Sequence, residues 1–197
     1  MEFDYPIGAT PLSKDQANDL ILTHITTREE LNIWEQQNIY EAVEWLNKTK
    51  PRDILNEAFV KKLHKRMFGN VWKWAGKFRL EELRETNIGV PCYRIPEDLH
   101  NLFANVKTWI ERESYSTDEM GVLFHYHLVS IHLFPNGNGR HARLMGDLLN
   151  ENVLGQPAYT WGGADLSAAG DLRDRYIQAL KAADRYEYTP LLKFARS

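Results

Sequence analysis

The stretch Ile131-His132-Leu133-Phe134-Pro135-Asn136-Gly137-Asn138-Gly139-Arg140-His141-Ala142-Arg143 holds the residues of this chain best suited to chemistry. His132 offers an imidazole whose ordinary pKa lies near neutrality, so it can take up a proton from a reacting group. Gly137 and Gly139 flank Asn138. Glycines admit positive φ and close backbone approach, so several N–H groups can point into one concavity. A helix following the loop adds its own N-terminal amides and the positive end of its dipole, which suits an anion such as phosphate. Arg140 and Arg143 stand three apart on one face of that first turn, and two guanidinium forks above an amide nest make a polyphosphate cradle. The plainer alternative is a helix-entry turn with two surface arginines, because Gly and Asn are common in turns.

Such a loop must be held by its neighbours, and the apolar pattern predicts mostly helices. Residues 1–12 contain Pro6, Gly8 and Pro11 and read as an irregular arm. Ser13 then caps a short helix to about Leu22. Leu31, Trp34, Asn38/Ile39, Ala42, Val43 and Leu46 follow helical spacing over 27–47, with Thr27 and Glu30 in the form of a capping box. Ile54, Ala58, Leu63 and Met67 mark a further helix, stopped by Gly69-Asn70. Residues 70–97 lose that period, and the run from Asn87 to Ile95 predicts a small β-hairpin around Gly89 and Pro91. Helices resume over 96–112 and 117–131. The second is apolar nearly all round and is expected to be the central buried helix. Another runs from the loop to about Asn150, and a last one from Leu166 or Leu172 to Asp184. The expected class is all-α with one small β-hairpin.

The whole chain adds bounds to this picture. Its 197 residues, 43% hydrophobic and 12% aromatic with six Trp, suit one folded domain with a short extension and argue against disorder. No run approaches the ~20 apolar residues of a membrane span, and the start MEFDYPIGATP lacks the basic and apolar regions of a signal peptide. The single cysteine, Cys92, allows neither an internal disulfide nor a cysteine-based zinc site. A cytoplasmic protein is expected. A formal charge of −3 gives no footprint for general nucleic-acid binding.

The order of residues in 132–143 resembles the motif HxFx(D/E)GNGRxxR of the Fic/Doc family: His132, Phe134, Gly137, Asn138, Gly139, Arg140 and Arg143 all match. The resemblance spans about 30–197. It takes in Leu128-Val129-Ser130-Ile131 before the motif, Ala75-Gly76-Lys77-Phe78-Arg79 and Asn87-Ile88-Gly89-Val90 upstream, and Arg173 to Ala183 with Pro190-Leu191-Leu192 downstream. Residues 1–29 then form an N-terminal arm and short helix. The opening and Thr23-His24-Ile25-Thr26-Thr27-Arg28 look most like the mobile mystery protein B group.

The resemblance implies a Fic-type helical bundle with a hairpin flap and a protein adenylyltransferase that moves AMP from ATP, with Mg²⁺, to a Ser, Thr or Tyr hydroxyl of a target protein. His132 would be the general base. Asn136, Gly137, Asn138 and Gly139 would line the phosphate loop, with Asn138 and the loop amides holding the α-phosphate. Arg140 would grip the β-phosphate and Arg143 the γ-phosphate, and Phe134 would anchor the loop. Tyr176 and Asp184 fall where the family's adenine pocket lies. Ile88, Gly89 and Val90 would dock the target segment as an added strand. A base at a helix C-terminus is biased towards imidazolium, so its surroundings must keep His132 neutral.

The sequence departs from the family pattern at Asn136, where many members carry Asp or Glu as a Mg²⁺ ligand. An amide oxygen brings no charge, so a weaker metal site is expected. It departs again in the arm. The family's inhibitory motif (S/T)xxxE(G/N) pairs its Glu with the second motif arginine, but Ile7 stands at the acidic position of Ile7-Gly8-Ala9-Thr10-Pro11-Leu12. Thr26 and Glu30 have the spacing, yet Leu31 follows. The region reads as degenerate, leaving Arg143 open to control by an antitoxin-like partner in trans. Competing readings are a nucleotide-binding, toxin-like module with little transfer, and transfer of another nucleotide or a phosphoryl group on the same fold. The Doc kinase branch has lysine at the position of Gly139, which favours AMP here. A zinc site built on His125, His127, His132, His141 and Asp147 lacks metal-ligand spacing, because His125 and His127 point to different helix faces.

Overall fold

Helix starts are written into this sequence as capping residues, and the structure uses them. The computed structural model describes residues 14–80, 89–163 and 170–197. Among these, the chain forms α1 (Lys14–Asn18), α2 (Arg28–Thr49), α3 (Glu57–Phe68), α4 (Ile95–Arg112), α5 (Thr117–Ile131), α6 (Asn138–Leu148), α7 (Asp171–Ala183) and α8 (Thr189–Ala195). Thr27 accepts from the Glu30 amide at 3.2 Å, and the Glu30 carboxylate accepts back from the amides of Thr26 and Thr27 at 2.9 and 3.2 Å. Glu30 is therefore engaged in a capping box, which accounts for the Thr26–Glu30 spacing. A second box, Ser116 with Glu119, starts α5, and Asn56 caps α3.

Three expectations need correction. The first helix stops at Asn18. The chain then pairs with residues 71–73 through Ile21 N–H to the Val71 carbonyl at 2.8 Å and Lys73 N–H to the Asp19 carbonyl at 3.0 Å. No β-hairpin appears among the described residues. Ile88 lies outside them, Gly89 and Val90 are irregular, and Cys92–Arg94 is a 3₁₀ turn leading straight into α4. The cause is Pro91 followed by Pro96. Proline removes ladder donors from a strand but is pre-set for the first turn of a helix, where Pro96 sits. Beyond α6 the helix continues as a π-helical segment, Leu149–Leu154, until Gly155 turns it at φ 67°. The inhibitory-like residues 7–12 and the alternative start at 166 lie outside the described residues.

The central helix is α5, as its all-round apolar pattern predicts. Phe124 and Leu128 face a core made with Met67, Phe68, Trp72, Leu99, Phe134 and Met145. Val122 faces a second cluster with Tyr159, Trp161, Tyr176, Leu191 and Phe194. The helix packs on α4, α6 and α8, so its C-terminal end, and with it the loop to α6, is fixed from several directions. No helix among the described residues is long and apolar enough to cross a membrane.

The inward face of α2 is not the apolar stripe alone. Its buried residues are Leu31, Glu35, Asn38, Ala42 and Leu46, whereas Trp34 is 43% exposed. Asn38 donates to the Arg66 carbonyl at 2.8 Å and accepts from the Asn70 amide at 2.9 Å, locking α2 to the end of α3. Replacing Asn38 with Ala orphans both backbone groups and is expected to lower unfolding stability by about 2 kcal/mol, read by urea denaturation. A change below about 0.5 kcal/mol would show that water satisfies them equally well.

Candidate active site

The chemistry-bearing loop begins where α5 ends. His132 is the C-cap of α5, with φ 57° and ψ 66°, and its amide closes the helix on the Leu128 carbonyl at 3.2 Å. The left-handed backbone turns the chain sharply into 133–137. Leu133 and Phe134 are buried, and Phe134 stacks on His64 at 3.7 Å between ring centroids. His64 accepts at Nδ1 from the Gly76 amide at 3.0 Å and so donates from Nε2 to the Asn136 carbonyl, also at 3.0 Å. Asn138 closes the loop: its Oδ1 accepts from the Phe134 amide at 2.9 Å and its Nδ2 donates to the Phe134 carbonyl at 2.7 Å. Gly137 caps α6 at φ 78°, and a Cβ there would lie 2.6 Å from the Phe68 ring, so only glycine fits. The first ladder bond of α6 runs from the His141 amide to the Gly137 carbonyl, which leaves the amides of Asn138, Gly139 and Arg140 ahead of the ladder at the helix start.

Arg140 and Arg143 leave this turn in different settings. Arg140 donates to Glu35 at 2.7 Å and lies over the Phe68 ring at 4.7 Å. The other oxygen of Glu35 accepts from Trp72 Nε1 at 2.7 Å, so the carboxylate is held at both ends. Arg143 lies over the Tyr176 ring at 5.4 Å and hydrogen-bonds its hydroxyl, which also meets His125 Nε2 at 3.0 Å. Burial holds Arg173 below the usual guanidinium range, helped by the positive fields of Arg143, Arg140 and Arg28. Four arginines thus contribute to one cationic region around the start of α6.

Burial sets the protonation of His132. His132 is pushed down to about 4, mainly by desolvation, then by the Arg79 guanidinium, with the Val129 carbonyl acting the other way. The imidazole is therefore neutral at pH 7, against the helix-end bias that the sequence suggested. His141 is pushed down to about 3 by burial, and His64 and His125 are driven well below the usual histidine range for the same reason.

Of the residues singled out in the sequence, His132, Asn136, Gly137, Asn138, Gly139, Arg140 and Arg143 share one turn, with Gly89 and Val90 alongside through the 3.4 Å bond of the Val90 amide to the Ile131 carbonyl. Asn138 was expected at the α-phosphate, but both ends of its amide brace Phe134. Asn136 turns its Oδ1 to the Gly137 amide at 2.7 Å. Tyr176 is buried beneath Arg143, and Asp184 sits two turns further along α7, accepting from Tyr126 at 3.1 Å, so the structure does not bring that pair together. Of the histidines weighed and set aside as a zinc site, His125 meets Tyr176 and His141 donates to the Val60 carbonyl at 3.2 Å. Sequence reading missed Glu35, Trp72 and Arg79. The polar residue on the inward stripe of α2 was the available signal for the first.

The buried histidines make stability depend on pH. Below about 6.5 the unfolded chain protonates them while the native protein does not, so stability is present above that pH and lost as pH falls. Asp147, raised to about 6 by burial, works oppositely and offsets one histidine. With His64, His125, His127, His132 and His141 all depressed, stability is expected to fall steeply between pH 6 and 4.5, by on the order of 1 kcal/mol per pH unit for each net histidine. Urea midpoints measured across that range check it, and a flat profile contradicts it.

Comparison with known proteins bears on the family and the fold. Residues 54–149 match the model of the Fic/DOC family. The chain is 29% identical over 136 residues to the protein adenylyltransferase Fic of Drosophila melanogaster, covering 67% of this chain and 25% of the relative. It thus spans about a quarter of the length of the curated relatives it matches. The fold superposes on BepC of Bartonella tribocorum, solved with bound AMPPNP, at a TM-score of 0.71 and 17% identity, covering 93% of this chain and 97% of that one. Fic-1 of C. elegans gives 0.66 at 22% identity, covering 95% and 55%. The glycine turn and the paired arginines lie within residues 54–149, the part of the chain that matches the Fic/DOC family domain.

Proposed function

We propose that this protein is an adenylyltransferase that moves AMP from Mg·ATP to a hydroxyl of a target protein. The observation that carries the reading is a buried, neutral His132 one loop away from a helix start bearing Arg140 and Arg143. In the reaction the imidazole takes the proton of the target hydroxyl. The oxygen forms a bond to the α-phosphorus, the bond from that phosphorus to the bridging oxygen breaks, and pyrophosphate leaves with the electron pair. The amides of Asn138, Gly139 and Arg140 face developing negative charge, Arg140 holds the β-phosphate and Arg143 the γ-phosphate. Asn138 serves as the brace of the loop, and Tyr176 orients Arg143. Gly89 and Val90 receive the target backbone. The distant adenylyltransferase relatives and the AMPPNP complex of BepC support nucleotide chemistry at this site.

Among the described residues no group of three or more His, Cys, Asp or Glu is placed to hold a metal ion, and Asn136 brings only a neutral oxygen. That donor set fits Mg²⁺ carried on the triphosphate as part of the substrate rather than caged by the protein. The resemblance to the mobile mystery protein B group, the degenerate arm at 1–29 and an antitoxin-like inhibitor in trans belong to this same proposal. A second reading, a nucleotide-binding module with little transfer, draws on the pairing of Arg140 with Glu35.

Incubation with α-labelled ATP and Mg²⁺ separates the two. Wild type is expected to label protein, its own chain included, and His132→Ala to lose at least about 100-fold of that rate while still binding nucleotide. Binding without labelling by wild type supports the module. Asn136→Asp is expected to lower the Mg²⁺ concentration giving half-maximal rate several-fold, and an unchanged requirement contradicts the role given to this position.

A further inference from the structure

Arg79 is 2% exposed, and its guanidinium reaches three backbone carbonyls. Nε donates to the His132 carbonyl at 2.7 Å, and Nη2 donates to the carbonyls of Val90 and of Ile131, the latter at 3.4 Å. Its own amide donates to the Leu133 carbonyl at 3.0 Å, and the Val90 amide donates to Ile131 at 3.4 Å. One planar fork therefore joins three separate pieces of chain: the segment at 79, the segment at 90, and the end of α5 where the base sits. Carbonyls at the end of a helix carry the negative pole of its dipole, so a cation there is favoured, and the rigid fork fixes direction as well as distance.

We infer that Arg79 is a positioning residue that locks the peptide of His132 to Val90, giving the general base and the target-docking edge one rigid frame. The inference rests on the adenylyltransferase reading for its consequence, but the clamp exists without a ligand. A target backbone seated at Val90 then presents its hydroxyl to an imidazole whose distance from that edge is fixed, which is where a misplacement of one ångström is costly to rate. Arg79 acts through His132 and touches no substrate. Its charge also supports the neutral imidazole, acting with burial and against the Val129 carbonyl.

The test compares Arg79→Lys, which keeps the charge but not the fork, with Arg79→Gln, which keeps neither. Three readouts are taken on the full chain. In hydrogen exchange without ligand, the Val90 amide is expected to exchange at least about tenfold faster in both variants. In an NMR titration of His132, Arg79→Gln is expected to raise the imidazole pKa by about one unit, while Arg79→Lys leaves it near the wild-type value. In AMP transfer to the chain itself, both variants are expected to lose about 100-fold in kcat, with KM for Mg·ATP within about twofold. Unchanged Val90 exchange in Arg79→Lys, or a fall in kcat matched by an equal rise in KM, overturns the clamp. Should Arg79→Gln fail to fold, Arg79→Lys and the wild-type Nε–H resonance still decide, because the clamp requires that proton to exchange slowly at neutral pH. Absence of transfer by wild type defeats the functional reading and leaves the exchange and titration results to judge the clamp.

Discussion

The loop between α5 and α6 depends on the pair of hydrogen bonds by which the Asn138 amide grips the backbone of Phe134. Those bonds close a five-residue turn that contains a glycine at positive φ and seats an aromatic ring in the core. Without them the amides at the start of α6 would have no fixed direction, and Arg140 and Arg143 would extend from a mobile end. The ring of Phe134, stacked on a neutral His64 that bonds both Gly76 and Asn136, anchors the same turn from below. A buried side-chain network of this kind is rigid because each polar atom in it is satisfied, and a single unsatisfied member would cost as much as the bond it lost.

Around that turn the protein arranges opposite electrostatic demands. In the proposed reaction His132 must be neutral, and burial with a nearby guanidinium makes it so. The proposed phosphate side is positive through Arg140, Arg143, Arg173 and Arg28, tempered by one buried carboxylate, Glu35. The formal charge of −3 on the whole chain conceals this local excess. Glu35 holds one nitrogen of Arg140, and Tyr176 holds Arg143, so both arginines are oriented without a ligand. Preorganised charge of this sort stabilises a transition state without paying reorganisation at the moment of reaction.

Much of this was legible in the sequence where the determinants are local. The string 132–143 carries its own spacing, the Thr27 box announces α2, and the all-round apolar run of 117–131 places α5 at the centre. What escaped is what joins residues far apart in the chain. Glu35 is 105 positions from Arg140, and Arg79 is 53 from His132. On α2, attention to apolar spacing passed over Glu35, which lies on the inward face beside Asn38. The hairpin expectation followed the β-branched and aromatic residues around Val90, Tyr93 and Ile95, and two prolines turned that segment into a helix start instead. The resemblance puts Tyr176 at the family's adenine pocket, and its depth beneath Arg143 depends on how α7 packs, which no local pattern reports.

The central claim is that a closed, preorganised turn holds a triphosphate with its α-phosphorus facing a neutral His132. A crystal structure of the protein with Mg²⁺ and a non-hydrolysable ATP analogue tests it most directly. The account predicts the phosphates on the amides of Asn138, Gly139 and Arg140, with Arg140 at the β-phosphate, Arg143 at the γ-phosphate, and the Asn138–Phe134 bonds intact. A nucleotide bound elsewhere, or bound here only after those two bonds break, would contradict it.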